Sequence, residues 1–191
     1  MNRPADVSNL SNQFLIAMPG LAESAFASSV IYVCEHSPRG ALGLVINRPT
    51  DIVLGDLFAR IELPLLRAEL AQIPVYYGGP VQTERGFVLH DSDGHDYAST
   101  LHVAAGLQMT TSKDVLERIA GDGGPRRFFV ALGYAGWSAG QLEDEVAHNG
   151  WLTVEADATI VFDTPVERRM DAAMALIGIS SLSLSQTPGH A

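Results

Sequence analysis

Cysteine occurs once in this sequence, at position 34, and is followed by Glu35 and His36. A thiol beside an imidazole can generate a thiolate, because a nearby imidazolium lowers the thiol pKa and the thiolate is the nucleophilic, oxidisable form. Cys34 and His36 are therefore the candidate catalytic residues. On an extended strand residues two apart share a face, which places Tyr32, Cys34 and His36 on one side and Glu35 on the other. Their bases are then about 6–7 Å apart, from a rise of about 3.3 Å per residue, and an ionised Glu35 nearby opposes thiolate formation. The plainer alternative is an inert cysteine in a core strand with His36 in an ordinary turn.

The remaining chemistry-bearing residues are scattered. The histidines His36, His90, His95, His102, His148 and His190 include no i,i+4 pair and no zinc-knuckle spacing. A site gathered from Cys34, His36 and His90 rests on residue type alone, so no metal and no cofactor is expected. The glycine-rich stretch 133–140, GYAGWSAG, leads from an apolar run into a helix start, an arrangement that often binds anions. It matches neither dinucleotide-binding nor phosphate-loop spacing, and Glu143, Asp144 and Glu145 place negative charge just beyond it. Its glycines then serve close packing and tight turning, and Tyr134, Trp137 and Gln141 are candidates to line a ligand pocket. Asn47-Arg48-Pro49 closes an apolar run, and Arg85 precedes Gly86. Either guanidinium could grip a carboxylate or phosphate in bidentate fashion, or hold a structural ion pair. Asn47, Arg48, Arg85 and His90 complete the ligand-binding candidates.

These residues must be positioned by the elements around them. Residues 30–35 and 41–47 read as two nearly continuous apolar strands joined by the turn His36-Ser37-Pro38-Arg39-Gly40, which implies cover on both faces. Further strands are predicted at 13–18, 74–77, 87–90, 98–103, 128–133, 151–154 and 159–162. Leu54, Leu57, Phe58 and Ile61 form a helical stripe. Thr111 reads as an N-cap with Asp114 three residues on, and Gly121 as the end of that helix. Ser138 and Gln141 form a capping box with Trp137 and Leu142 as hydrophobic staple, opening a helix to about His148. Thr164-Pro165-Val166-Glu167 starts the last helix, whose face is Val166, Met170, Ala173, Met174 and Ile177, ended by Gly178. Strands in hairpin-like runs with interspersed helices give an α+β class with a mixed, largely antiparallel sheet.

The string CEHSPRGALGLVINRP, with FLIAMPGL before it and GFVLH, ALGYAGWSAGQLEDE and a terminal GHA after it, resembles the YqgE/AlgH family of bacterial proteins. The resemblance runs from about Gln13 to the end. It implies one compact α+β domain over residues 13–191, whose bent sheet forms a barrel-like core with flanking helices, after a flexible segment 1–12. Some members are called transcriptional regulators. The resemblance transfers no catalytic role to the CEH or NRP segments, and the GHA ending hints at a tail packed on the body.

Composition narrows the function classes. The net charge is −10, from 12 Lys+Arg and 22 Asp+Glu. Its densest basic pairs, Arg126-Arg127 and Arg168-Arg169, form no stripe, which argues against direct nucleic-acid binding. The chain is 47% hydrophobic and only 18% charged, below the usual ~25%, and its mean hydropathy is +0.12. Such a surface is unusually neutral or partly covered by self-association, so a homo-oligomer is among the expectations. One cysteine forms no internal disulfide, the N-terminal residues lack the apolar core of a signal peptide, and no apolar run reaches the ~20 residues of a membrane span. The expectation is a cytoplasmic protein off the membrane, working without catalysis through a protein or small-molecule partner, in regulation. The alternatives are a thiol enzyme or redox sensor at Cys34 and His36, or a DNA-binding regulator, which the charge disfavours.

Overall fold

The computed structural model describes residues 9–21 and 24–179. Its strands and helices, in order, are β1 (Gln13–Ala17), β2 (Val30–Ser37), β3 (Gly40–Val45), β4 (Pro49–Val53), α1 (Leu54–Arg60), β5 (Pro74–Tyr77), β6 (Val81–Asp91), β7 (Thr100–His102), β8 (Leu107–Thr110), α2 (Lys113–Ala120), β9 (Phe128–Ser138), α3 (Gln141–Ala147), β10 (Trp151–Glu155), α4 (Ala158–Phe162) and α5 (Arg169–Leu176). The strands pair in the order β10-β1-β2-β3-β9-β6-β8-β7, with β4 on β5 and β5 on β9. Among the described residues, only the β5–β9 pair is parallel. Phe14 of β1 and Met109 of β8, far apart in that order, belong to one buried cluster, so the sheet curls around its own core into a half-barrel.

The inner face is filled by that cluster and closed by Ile160 and Val161 of α4 and Ala173 and Met174 of α5. The outer face is covered in two patches. Helices α1 and α2 bury Leu54, Phe58, Val115 and Ile119 over β5, β6 and β9. Helix α3 buries Leu142 against Trp137, Trp151 and Val33. Strand β2 alternates between the two sides, Tyr32 inward and Ile31 and Val33 outward, as its continuous apolar run requires. Each fully buried large apolar side chain contributes roughly 1.5–3 kcal/mol.

Two irregularities break the alternation. Val33 pairs with Gly43 but Glu35 pairs with Leu42, leaving Cys34 as the extra residue of a β-bulge. In β9, Gly133 takes φ +74°. Phe129 and Ala131 point inward before it, whereas Ala135 and Trp137 point outward after it. Only glycine fits there. A Cβ at Gly133 would lie 2.3 Å from the Gly79 carbonyl oxygen, and one at Gly79 only 2.1 Å from the Tyr134 backbone. Opposite Gly133 the partner strand spends four residues, Gln82–Arg85, on one, because Val81 pairs with Tyr134 and Gly86 with Leu132.

Several predicted elements change. The strand predicted at 128–133 runs on to Ser138, and glycines within it permit close backbone approach. Residues 159–162 are helical, not a strand. Asp157 caps α4 by accepting the Thr159 N–H at 2.9 Å, and burial of Ile160 and Val161 overrides their β propensity. Strands β4 and β8 carry no strong periodicity and were not predicted. Helix α2 starts one residue later than expected, on Ser112. At α3 only half the capping box forms, the Gln141 side chain accepting the Ser138 N–H at 3.0 Å. Residues 9–12, grouped by sequence with a flexible segment, are docked, the Asn12 N–H bonding Val33 and its carbonyl accepting from Ala156. Residues 1–8 and the GHA ending lie outside the described residues.

Candidate functional site

A groove opens where the curl of the sheet brings β2, β3 and β9 toward β7 and β8. Its larger compartment, about 450 Å³, is bounded by Glu35, Arg39, Leu42, Val81, Tyr134 and Trp137. Past Glu35 and Leu42 it continues into a smaller compartment of about 240 Å³ that includes Leu101, Met109 and Thr111. The floor exists because Gly136, opposite Leu42 on β9, has no side chain. A Cβ there would meet the Tyr134 ring at 3.0 Å. The bulge at Cys34 turns Glu35 onto the Leu42 face, and the Gly133 inflection brings Tyr134 to the same side. In the turn, Ser37 Oγ accepts the Arg39 N–H at 3.2 Å, and Gly40 takes φ +137° because a Cβ would strike the Trp137 carbonyl oxygen at 2.2 Å. Arg39 is thereby presented at the tip. Among the described residues, neither the Arg39 guanidinium, the Glu35 carboxylate nor the Tyr134 hydroxyl has a partner.

The same bulge separates the residues expected to act together. Glu35 lies opposite Leu42 and His36 opposite Ala41, so Cys34 and Glu35 share the inner side and His36 points outward. Cys34 is 3% exposed, and its Sγ lies 3.9 Å from the Tyr32 carbonyl oxygen. Burial pushes its thiol pKa far up, and the Glu35 charge adds to this. The thiol stays protonated at neutral pH. His36 Nδ1 accepts the Leu10 N–H at 3.0 Å, so Nε2 carries the proton and donates to Glu143 Oε1 at 2.8 Å. The candidate Cys34–His36 pair does not form, because one inserted residue reverses which side His36 faces.

A family model described as AlgH-like matches residues 14–182. The chain belongs to the AlgH-like family. It is similar over the full length of both chains to a UPF0301 protein of Burkholderia multivorans, at 61% identity, and to one of Paraburkholderia phymatum, at 62%. The solution structure of AlgH from Pseudomonas aeruginosa matches it with a TM-score of 0.79 at 47% identity, covering 100% of each chain. A crystal structure of a Corynebacterium diphtheriae protein matches with a TM-score of 0.68 at 21% identity, covering 98% of this chain and 94% of that one, and shows the shared fold alone.

The AlgH-like chain gathers only some of its predicted ligand residues at the groove. Tyr134 lines it with its side chain, whereas Trp137 only borders it, its indole being turned to the α3 side. Arg85 reaches its rim, bonding Gln82 Oε1 at 3.2 Å and Thr111 Oγ1 at 3.1 Å and lying over the Phe87 ring. Asn47 and Arg48 are fasteners elsewhere. Asn47 accepts the Val30 N–H and donates to the Ser28 carbonyl, both at 2.9 Å, and Arg48 donates to the carbonyls of Ala25 and Ala27. Among the described residues, neither arginine holds the carboxylate that a structural ion pair would require. His90 is fully buried, with Nδ1 donating to the Asp91 carbonyl at 2.9 Å and Nε2 accepting from Thr110 Oγ1 at 2.8 Å. Burial lowers its pKa against the opposing pull of the Asp91 carbonyl and of the Asp93 and Asp91 charges. Gln141 donates to Glu145 Oε1 at 3.0 Å, outside the groove. No group of three His, Cys, Asp or Glu among the described residues has metal-binding geometry. Sequence reading passed over Glu35, Arg39 and Leu42 as site residues. A cation in a Pro-Arg-Gly turn was the one available signal.

Proposed function

We propose that this chain works by binding a small ligand in the groove, and that any regulation follows from ligand occupancy rather than from contact with DNA. One observation carries the reading: the groove collects recognition groups with free hydrogen-bonding capacity, Glu35, Arg39 and the Tyr134 hydroxyl, around an apolar floor. Its larger compartment falls within the 300–1,000 Å³ typical of ligand pockets. The basic pairs are largely committed elsewhere. Arg169 is 5% exposed and packed over Tyr76 and Phe129, and Arg127 is shared between Asp91 and Asp163. A single cysteine buried in the core suits a cytoplasmic setting. No helix among the described residues is long and apolar enough to cross a membrane.

The test is amide chemical-shift mapping against a chemically mixed fragment library, with Gly136→Val as the groove-filling variant. Shifts clustered on residues 35–42, 99–111 and 134–137, lost in the variant, are expected. Shifts that cluster elsewhere, or none at all, overturn the reading. The thiol alternative has its own check. Alkylation of native Cys34 is expected to be at least a hundredfold slower than in the unfolded chain, because reaction requires opening of the core. Fast native labelling with an apparent pKa below the free-thiol value of about 8.5 would restore that alternative.

A further inference from the structure

We infer that the ligand is an apolar α-amino acid bound as a zwitterion, with its ammonium on Glu35, its carboxylate on Arg39 and its side chain against Leu42, Leu101 and Met109. This rests on the reading that the groove binds a small ligand, and it names the class.

The argument begins with two opposite charges that line one cleft without pairing. Glu35 and Arg39 are both exposed, and neither engages any charge among the described residues. A ligand bearing only an anion would meet the Glu35 field, and one bearing only a cation would meet that of Arg39. A ligand bearing both satisfies each side.

Spacing agrees. Glu35 and Ser37 are two residues apart on β2, about 6.6 Å, and Arg39 lies at the turn just beyond. An α-amino acid spans roughly 2.5 Å from nitrogen to carboxyl carbon. With a charge-assisted hydrogen bond of about 2.8 Å at each end, it bridges roughly 8 Å, within reach of a long Arg side chain.

The layout of the groove fixes the orientation. Glu35 and Leu42 belong to both compartments, so an ammonium on Glu35 sets Cα at the junction. From there the carboxylate enters the compartment of Arg39, where the unpartnered Tyr134 hydroxyl can also donate to it. The side chain enters the other compartment, against Leu101 and Met109. Glycine would forgo the second compartment, and a charged side chain would meet an apolar wall there.

The experiment is calorimetric titration of the full chain with leucine and phenylalanine, beside N-acetyl-leucine, leucinamide and glycine. Leucine or phenylalanine is expected to bind, and each of the three truncated analogues to bind at least tenfold more weakly. Glu35→Gln is expected to abolish the advantage of leucine over N-acetyl-leucine, and Arg39→Gln its advantage over leucinamide. Equal affinity for N-acetyl-leucine overturns the ammonium contact, and equal affinity for leucinamide overturns the carboxylate contact. Should no amino acid bind while mixed fragments still map to the groove, this inference fails and the binding reading stands. Should the groove take no fragment either, both fail. The analogue series uses the native chain, so it decides even if a variant fails to fold.

Discussion

The two sides of β2 treat polar groups in opposite ways. On the α3 side they are matched. His36 bonds Leu10 and Glu143. The carboxylate of Glu145 accepts both buried indole N–H groups, from Trp137 at 2.9 Å and Trp151 at 2.8 Å, and takes a third bond from Gln141. Among the described residues, Glu143 Oε2 on this side is buried without a partner. On the groove side Glu35, Arg39 and Tyr134 keep open hydrogen-bonding capacity. Matched polar groups hold a fold together, because an orphaned buried donor costs its full desolvation. Exposed unmatched groups around an apolar floor contribute little to folding and remain free for a ligand.

The largest expected effect is on the matched side. Glu145→Ala leaves two indole N–H groups without their acceptor at residues 5% and 3% exposed, and should lower stability by about 2–4 kcal/mol, measured by denaturant unfolding. A loss below about 0.5 kcal/mol would mean that the carboxylate is no more structural than the groove residues, and the contrast would collapse. His36→Ala removes the acceptor of the Leu10 N–H and the partner of Glu143. It should cost roughly 1–3 kcal/mol and accelerate amide exchange at Leu10. Unchanged exchange there would show that His36 does not hold the N-terminal strand entry.

His90 extends the matched class to a second site, and pH sharpens the test. Its pKa is depressed in the fold by burial, so the unfolded chain binds the extra proton first. The stability from a neutral buried His90 is complete above the ordinary imidazole value of about 6.5 and is lost as pH falls from there through the folded pKa. The unfolding midpoint should therefore decline on acidification below pH 6.5, and less steeply in His90→Gln. Parallel slopes in the two proteins would remove His90 from the matched class. The smallest effect is the most telling. Glu35→Gln and Arg39→Gln should each change stability by less than about 0.5 kcal/mol, and a larger loss in either would make the groove pair structural.

The residues show where local reading succeeds. The hairpin of β2 and β3, the Leu54–Phe58 face of α1 and the Val166–Ile177 apolar face were legible from local periodicity. The predicted Thr164 cap, however, does not form: its hydroxyl donates to the Thr159 carbonyl, residues 166–168 make a 3-10 turn, and α5 begins only at Arg169. The α4 segment was not, since its β-branched run reads as a strand and only the Asp157 cap and the inner core make it a helix. Tyr134 was legible as a groove residue by type and location, while Trp137, Asn47, Arg48, His90 and Gln141 looked equivalent to it in sequence. Their difference lies in remote partners, such as the Ala25 and Ala27 carbonyls or Thr110, that no local pattern displays.

The sequence by itself determined the family, the α+β class, the apolar strands and the acidic balance, all of which follow from composition, short-range periodicity and ordered motifs. Only the tertiary structure decided which residues meet. One extra residue at Cys34 and one left-handed glycine at 133 each reverse the side that every following side chain faces. Strand alternation has a period of two, so a shift of one residue moved His36 away from Cys34 and turned Glu35 and Tyr134 into the groove.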